Sequence, residues 1–453
     1  MALGHVSGSF QWLAADGVST TYNSGALGFT AKAVKCWWVG LQSTVDAFSA
    51  AVNSRRGEGY AVSSTARRCV GSYSQDAAAA AICGVIARDD SVVALCDGAG
   101  ASAGRLDVNL LGTSFELIVD EVAAANITVF WEAWGGDDIT VAAVGDIAEP
   151  AAIGTQDYTV TGFAATDSDD QVVMFAGCQS TAALNTGQAT DSGLCCGFAS
   201  GGAAAENVVV CGNSDDGSLT MDTDEYPQSG ECLAMIVIAG GNPSARAQLT
   251  QFNAGGFRLN WIARGTTNRR YIFLALKGGQ WKAGEYTIDA TTLKATATVS
   301  GLPFRPEGIC FISGQTAEPV AGTANGSDVV ARGSAKSTTA RRAASMRDQT
   351  GAADADITHF IEYDAVIVGP GSTAAGVLID LDAILSDGFR TIIDLQDAGA
   401  STVWWNGYLA FASAPATFDA AWMAAMNRPH PDLVFASPKI VASGMTPPDL
   451  VNQ

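Results

Sequence analysis

The sequence predicts an all-β protein of three tandem β-sandwich domains, jelly-roll or Ig-like, followed by a short α-helix and an extended arm. Two anchor motifs recur three times in the same order, and short apolar runs separated by Gly, Ser, Asn and Asp lie between them. A chain of 453 residues is also too long for one ordinary core. The predicted domains are residues 1–148, 149–285 and 286–412, with the helix and arm in 413–453.

Each repeat opens with a glycine turn, a nearby phenylalanine and an apolar strand. The three turns begin at Gly28, Gly162 and Gly301, and the strands that follow are rich in Val, Ile, Cys, Phe and Trp. A turn directly ahead of such residues is typical of the start of a β-strand. We therefore expect equivalent strands after each of the three turns.

Each repeat closes with a second glycine anchor, at Gly112–Ile118, Gly256–Trp261 and Gly388–Ile393. A polar turn and an apolar strand follow each one. The phenylalanines of the two anchors are 86, 94 and 85 residues apart in the three repeats. This nearly constant spacing predicts one fold for all three.

A pair of arginines links the two outer repeats. Arg67 and Arg68 follow Ser-Thr-Ala, and Arg341 and Arg342 follow Thr-Thr-Ala 274 residues later. The corresponding stretch of the middle repeat, which we place at residues 197–203, lacks arginine. The four arginines are therefore candidate contact residues that the outer repeats share.

Two pairs of adjacent tryptophans are further candidates for a contact surface. Neighbouring residues of a strand point to opposite faces, so one ring of Trp37-Trp38 and one of Trp404-Trp405 should enter the sandwich core while the other points outward. Outward tryptophan is typical of contact surfaces. The alternative is that packing between domains, or a local bulge, hides both rings.

The best helix candidate is the alanine-rich stretch Phe418–Met426, which Pro429 would end. A second stretch, Ala77–Ile82, has room for one or two helical turns. The residues after the third repeat keep Leu, Val and Phe, which suits either an arm that docks on a neighbour or a frayed terminus.

Composition excludes several partners. The formal charge is −21, from 25 basic and 46 acidic residues, which disfavours nucleic acid because phosphate binding needs a basic surface. The apolar runs are far shorter than the ~18–20 residues that cross a bilayer, so no membrane span is predicted. The ten cysteines form no CxxC pair and lie in apolar stretches, which favours buried free thiols. The first residues lack a secretory signal, so we expect folding in the cytoplasm.

The sequence predicts no enzyme, and neither catalytic, cofactor-binding nor metal-binding residues. The three histidines share no motif. The segment Gly100–Gly104 matches the nucleophile-elbow pattern, but strands are predicted on both sides, which favours a glycine loop. Acidic clusters at Asp167–Asp170, Asp215–Asp216 and Asp222–Glu225 are interpreted as solvated turns, with calcium as the alternative ligand.

The anchors resemble those of virion structural proteins of tailed bacteriophages, especially minor tail proteins. The resemblance is clearest at Gly28–Trp38, Gly256–Gly279 and Phe304–Pro306, and it covers the ends of each repeat better than its middle. In place of the family's proline the first repeat has Ala31 and the second an Asp-rich insertion. The resemblance implies a non-enzymatic component of a tail tip, fibre or baseplate, or else a capsid decoration or head spike.

The first hypothesis is therefore a structural protein of a phage or phage-like virion. It would fold in the host cytoplasm, form a homo-oligomer and contact other virion proteins. A second hypothesis is an adhesin that binds a host-surface glycan or receptor through outward tryptophans. A third is a tailspike-type glycosidase, which needs two carboxylates facing each other across a groove.

Overall fold

The computed structural model describes residues 3–40, 46–51, 53–75, 82–165, 169–179, 183–201, 205–213, 223–236, 242–265, 269–315, 318, 328–348, 357–370, 375–396 and 403–414. These residues form strands, turns and bends, and the strands build six antiparallel sheets that pack in pairs. The predicted all-β sandwich class is confirmed. The predicted C-terminal helix and arm lie outside the described residues apart from 413 and 414. So does the predicted helical turn at 77–82, apart from Ile82, which begins a strand.

The three repeats contribute thirty-two described strands. Those of the first repeat are β1 (Gly4–Trp12), β2 (Thr21–Asn23), β3 (Ala31–Val39), β4 (Ala47–Ala51), β5 (Asn53–Ala61), β6 (Arg67–Gln75), β7 (Ile82–Arg88), β8 (Val93–Cys96), β9 (Ser102–Leu110), β10 (Phe115–Glu121) and β11 (Ile127–Gly135). Those of the second are β12 (Val141–Ala148), β13 (Gly154–Thr159), β14 (Gln171–Cys178), β15 (Thr186–Ala189), β16 (Ser192–Ser200), β17 (Glu206–Asn213), β18 (Thr223–Ser229), β19 (Leu233–Ile236), β20 (Pro243–Asn253), β21 (Gly256–Ala263) and β22 (Arg270–Lys277). Those of the third are β23 (Gln280–Asp289), β24 (Thr296–Val299), β25 (Gly308–Gly314), β26 (Asp328–Ala335), β27 (Arg341–Asp348), β28 (Ile357–Glu362), β29 (Ile367–Pro370), β30 (Ala375–Leu385), β31 (Gly388–Leu395) and β32 (Val403–Ala412).

Each repeat pairs a six-stranded sheet with a four-stranded one in the same topology. The larger sheets have the strand orders β1-β11-β3-β5-β6-β7, β12-β22-β14-β16-β17-β18 and β23-β32-β25-β26-β27-β28. The smaller sheets have the orders β2-β10-β9-β8, β13-β21-β20-β19 and β24-β31-β30-β29. Strand pairing therefore divides the chain into 4–135, 141–277 and 280–412. The sequence-based boundaries fall instead at the end of β12 and inside β23.

Burial differs between the two kinds of sheet. In the smaller sheets strands such as β10 alternate between buried and partly exposed residues, as expected when one face is solvated. In the larger sheets, strands β11, β14 and β16 are buried along their whole length. The larger sheets are therefore covered on both faces, and we call them inner sheets and the smaller ones outer sheets.

The inner sheets face a common centre. Each sandwich has its own hydrophobic core between its two sheets. A further cluster draws buried residues from all three inner sheets, for example Tyr60, Met174 and Leu409. The three repeats therefore surround one shared core in addition to the core of each sandwich.

Strand exchange joins the first repeat to both of the others. Strand β15 of the second repeat pairs with edge strand β7 of the first, and β4 of the first pairs with edge strand β28 of the third. Glu318 of the third repeat contacts the second, where it accepts hydrogen bonds from the backbone nitrogen (2.8 Å) and hydroxyl (2.7 Å) of Ser229 in β18. The three repeats share one topology and surround one shared core, so they are arranged around an approximate threefold axis. Each exchange also covers an edge that would otherwise be open to pairing with another chain.

Candidate functional site

One glycine in each inner sheet allows the two sheets of its sandwich to approach closely. A Cβ atom at these positions would lie 1.8–2.1 Å from a backbone carbonyl oxygen of the residue just before β8, β19 or β29. The glycines are Gly59, Gly197 and Gly333, and the carbonyls belong to Val92, Cys232 and Val366. They mark equivalent positions in the three inner sheets.

The residue before each of these glycines points the opposite way, toward the axis. These axial residues are Glu58, Cys196 and Arg332, one from each repeat, and all are buried. Arg332 Nη1 lies 2.7 Å from Glu58 Oε2, and its Nη2 lies 2.6 Å from the sulfur of Cys196. Three equivalent positions thus carry an acid, a thiol and a base that contact one another.

The axial residues continue into a second buried ion pair. Lys35 Nζ lies 3.0 Å from Glu132 Oε2 and 4.0 Å from Glu58 Oε1. The hydroxyl of Tyr60 donates to Glu58 Oε1 at 2.5 Å. We call the axial residues together with Lys35, Glu132 and Tyr60 the axial cluster. It contains two basic and two acidic side chains.

The electrostatics of the cluster stabilise its ion pairs. Burial raises the pKa of a carboxyl group, but at Glu132 the combined effect of Lys35, His5 and the Cys310 thiol outweighs this and brings its pKa down to about 2. Burial also lowers the pKa of Lys35, and the two glutamates more than reverse this shift. The cluster thus keeps Lys35 and Glu132 ionised across the physiological pH range.

The thiols at the cluster are protonated. Burial raises the pKa of Cys196 well above its ordinary value in spite of Arg332. Cys310, whose sulfur donates to Glu132 Oε1 at 3.0 Å, has a raised pKa for the same reason. A thiol without thiolate character and without solvent access is a poor nucleophile. The arrangement therefore holds three sheets together and offers no reacting atom to a substrate.

The candidate arginines fall into two kinds of contact. Arg67 lies 3.2 Å from Asp107, and Arg341 lies 2.6 Å from Asp380, so the first arginine of each pair joins the two sheets of its own repeat. The second arginine reaches another repeat. Arg68 Nε donates to Asp146 in β12 at 2.9 Å, and Arg342 donates to the Ser7 carbonyl in β1 at 3.2 Å.

The middle repeat has an equivalent of the second arginine, which the sequence comparison placed wrongly. Arg68 pairs with Tyr60 and Arg342 with Ser334, and the matching partner of Phe198 is Asn207. Asn207 Nδ2 donates to the carbonyls of Gly284 (2.9 Å) and Tyr408 (3.1 Å) in the third repeat. The stretch 197–203 is therefore not the counterpart of the arginine pair, because the middle repeat has a different spacing here. Through Arg68, Asn207 and Arg342, the first repeat therefore contacts the second, the second contacts the third, and the third contacts the first.

The tryptophan pairs alternate as the sequence predicted, but all four rings are buried, at 0–2% exposure. Trp38 and Trp404 lie in sandwich cores. Trp37 packs on residues of β27 and β28 in the third repeat, and Trp405 lies in the shared core. The outward rings therefore contact another repeat of the same chain, and none of the four faces solvent. Packing between domains, the alternative interpretation, accounts for this.

The structure also shows where the other candidate motifs lie. All ten cysteines are buried and free. The Gly100–Gly104 segment is a turn between β8 and the start of β9, and Ser102 donates to Glu121 at 2.6 Å. Among the described residues no group of His, Cys, Asp and Glu is placed to hold a metal ion. Asp167, Asp215, Asp216 and Asp222 lie outside the described residues.

A cavity of about 350 Å³ opens between the first and third repeats. Its lining includes Arg305, Glu307 and Lys336. Lys336 donates to the His5 carbonyl at 3.0 Å, and Glu307 accepts from the Ser413 backbone at 3.1 Å. Two of its charged groups therefore serve to join segments of the chain.

Sequence reasoning missed the axial cluster. Two of its charged members lie singly between apolar neighbours, Lys35 between Val34 and Cys36 and Glu132 between Trp131 and Ala133. Such a residue on a strand of an inner sheet must find a buried partner, since an isolated buried charge is costly. Lys35 finds its partners within the first repeat, but Glu58 also pairs with Arg332 of the third, so the whole cluster becomes interpretable only once the repeats are known to face one another.

No helix long and apolar enough to span a membrane occurs among the described residues. Comparison with protein-family models, with curated proteins and with solved structures gives no match to the chain.

Proposed function

We propose that the chain is a structural component of a tailed-phage or phage-like virion, built into a tail tip, fibre or baseplate. The observation that carries the proposal is the packing of three sandwiches, two of them strand-exchanged with the first, around a shared core and a buried ion-pair cluster. Such a body resists unfolding because opening one repeat exposes the edge strands and buried charges of the others. A particle component that must persist outside the cell needs this resistance.

Two further features support the proposal. The anchors that resemble minor tail proteins form the strands of the sandwiches, for example β3, β21 and β25. The candidate residues of the adhesin hypothesis are buried, so that hypothesis has lost the outward rings on which it depended. A capsid decoration or head spike is the alternative location for the same kind of building block.

The test is to locate the chain in purified particles produced by a culture that carries its gene. We expect mass spectrometry of density-purified particles to find the chain at a constant copy number. Antibody labelling seen by electron microscopy should mark the tail end. Label on the head would favour the decoration alternative, and absence of the chain from the particles would refute the proposal.

A further inference from the structure

The cavity between the first and third repeats lies at a position where the repeats differ from one another. Strand pairing makes Val62, Ser200 and Lys336 equivalent, and their backbone nitrogens each donate across a matching turn at 2.9–3.0 Å. Val62 packs against the shared core, and the Ser200 hydroxyl accepts from the Ala283 nitrogen at 2.8 Å. Of the three residues Lys336 alone is charged, and it lines the cavity.

The cavity wall carries a second cation, Arg305, whose side chain is exposed. The equivalent residue of the first repeat is the uncharged Thr30. Arg305 makes no hydrogen bond or ion pair with the part of the chain that the structure describes. The ammonium group of Lys336 has three donors and uses one of them on the His5 carbonyl at 3.0 Å. The two cations therefore leave several N–H donors without an acceptor at one cavity.

The other titratable groups of the lining leave it positively charged. Glu307 is the acidic residue there, and its Oε2 accepts from the backbone nitrogen (3.1 Å) and hydroxyl (2.8 Å) of Ser413. Burial lowers the pKa of His5, so its imidazole is neutral at physiological pH. Two cations and one anion give the lining a formal charge of +1. The cavity is thus a locally positive site on a chain whose formal charge is −21.

The remainder of the lining is largely apolar, with the side chains of Leu3, Pro306 and Ile384. The cavity volume of about 350 Å³ lies at the lower end of the range of small-molecule sites. At about 30 Å³ for each water molecule it has room for about a dozen waters. A ligand that fills it is therefore small, and it meets both cations and an apolar wall.

We propose that this cavity binds a small organic carboxylate, with the carboxylate group on Arg305 and Lys336 and the hydrocarbon part against the three apolar side chains. The planar guanidinium group of arginine presents paired N–H donors that match the two oxygens of a carboxylate. A monoanion balances the charge of the lining, whereas a phosphate dianion exceeds it and is repelled by Glu307. This inference does not rest on the proposed virion function.

Titration of the full chain into para-fluorobenzoate, followed by fluorine NMR, tests the proposal. We expect saturable binding of one ligand per chain with a Kd of about 1 mM or lower. The uncharged para-fluorobenzamide has nearly the same shape and should bind at least about 10-fold more weakly, because it loses the charge-assisted hydrogen bonds. The dianion para-fluorophenyl phosphate should bind more weakly than the benzoate as well.

Variants of the two cations locate the site. Arg305→Gln removes a side chain with no partner among the described residues, so the variant should fold and should bind para-fluorobenzoate at least about 10-fold more weakly. Arg305→Lys keeps the charge without the planar fork and should recover part of the affinity. Lys336→Met should also weaken binding. The matched control is Arg258→Gln in the second repeat, which removes an exposed partner of Asp157 and should leave binding unchanged.

Hydrogen exchange gives an independent measurement, since residues 304–307 and 336–340 should exchange more slowly when para-fluorobenzoate is bound. A wild-type chain that shows no saturable binding up to about 10 mM ligand would overturn the proposal. So would Arg305→Gln and Lys336→Met variants, folded by circular dichroism, that bind like the wild type. Equal affinity for the benzamide, or tighter binding of the phosphate, would overturn the carboxylate assignment. These outcomes are independent of whether the chain is found in particles.

Discussion

Equivalent positions of the three repeats carry the same residue types inside the sandwiches and different residue types at the axis. Inside the sandwiches the repeats agree: each has a glycine against the carbonyl of the facing sheet and a phenylalanine at the start of the second anchor strand. At the axis the repeats differ, with Glu58, Cys196 and Arg332 at matching positions. Agreement suits a fold that must form three times. Difference suits a junction where each repeat meets two unlike neighbours.

The difference disfavours assemblies in which like repeats of two chains meet at the axis. Two copies of the first repeat meeting at the axis would bury two glutamates together, and two copies of the third would bury two arginines. Like charges without partners in a dry interior are strongly unfavourable. The observed arrangement pairs Arg332 with Glu58, so the axial cluster selects it over exchanged alternatives while the sandwich cores supply most of the apolar burial.

The largest expected effect comes from breaking the axis. Arg332→Met removes the partner of a buried carboxylate, and we expect a loss of about 3–5 kcal/mol in the free energy of unfolding. Denaturant titration followed by tryptophan fluorescence measures it. The matched control is Glu58→Gln/Arg332→Met, which removes both charges and should recover most of the loss. A single variant that costs less than about 1 kcal/mol would contradict a specifying role for the pair.

The next largest effect is expected from a substitution that disrupts the packing inside a sandwich instead of at the axis. A Cβ at residue 197 would lie 2.1 Å from the Cys232 carbonyl oxygen, so Gly197→Ala forces the two sheets apart. We expect a loss of about 1–3 kcal/mol in the free energy of unfolding. Gly17→Ala is the control, because a Cβ there meets nothing within 4 Å. Equal melting temperatures for the two variants would show that the sheets do not approach as closely as described.

Two buried glutamates, one at the axis and one in a sandwich, should make the stability of the two regions depend on pH in opposite ways. Glu132 at the axis has a pKa of about 2, because Lys35, His5 and the Cys310 thiol together outweigh the effect of burial. Glu206 lies in the second sandwich and accepts from the Leu249 nitrogen at 2.6 Å, and burial raises its pKa to about 7. The stability that Glu132 contributes is therefore present above its unfolded pKa of 4.5 and is lost as pH falls toward 2. The stability that Glu206 contributes is fully present below pH 4.5, the pKa of the unfolded carboxyl, and is lost as the pH rises through 7.

Glu206→Gln isolates the second of these effects. Near pH 5 the variant should match the wild type, since the wild-type carboxyl is largely protonated when folded. At pH 8 it should be more stable by about 2 kcal/mol, because folding of the wild type must then either bury an anion or take up a proton. Thermal melts at both pH values measure the difference. A stability gain that is the same at pH 5 and pH 8 would argue against titration of Glu206.

The sequence predicted the features of the sandwich interiors but not those of the axis. The glycine anchors recur because each sandwich needs the same turns and the same close approach of sheets, so the repeat and the sandwich class were predictable. The axial cluster was not, because Lys35, Glu58 and Arg332 are far apart in sequence and have no common motif. The tryptophan pairs show the limit directly: strand alternation predicted that one ring leaves each sandwich, but only the packing of three repeats shows that Trp37 and Trp405 are covered.

The smallest expected effects come from arginines that the sequence singled out. Arg67→Ala removes a partly exposed ion pair with Asp107 inside one repeat, and Arg68→Ala removes a similar pair with Asp146 between repeats. Each should cost no more than about 1 kcal/mol, since partly exposed ion pairs contribute little. The two variants should nevertheless differ in hydrogen exchange: Arg68→Ala should speed exchange in β12, the edge strand that it contacts, and Arg67→Ala should leave β12 unchanged. Faster β12 exchange in both variants would mean that the contacts within a repeat and between repeats are not separable, and the division between sandwich and junction would then need to be redrawn.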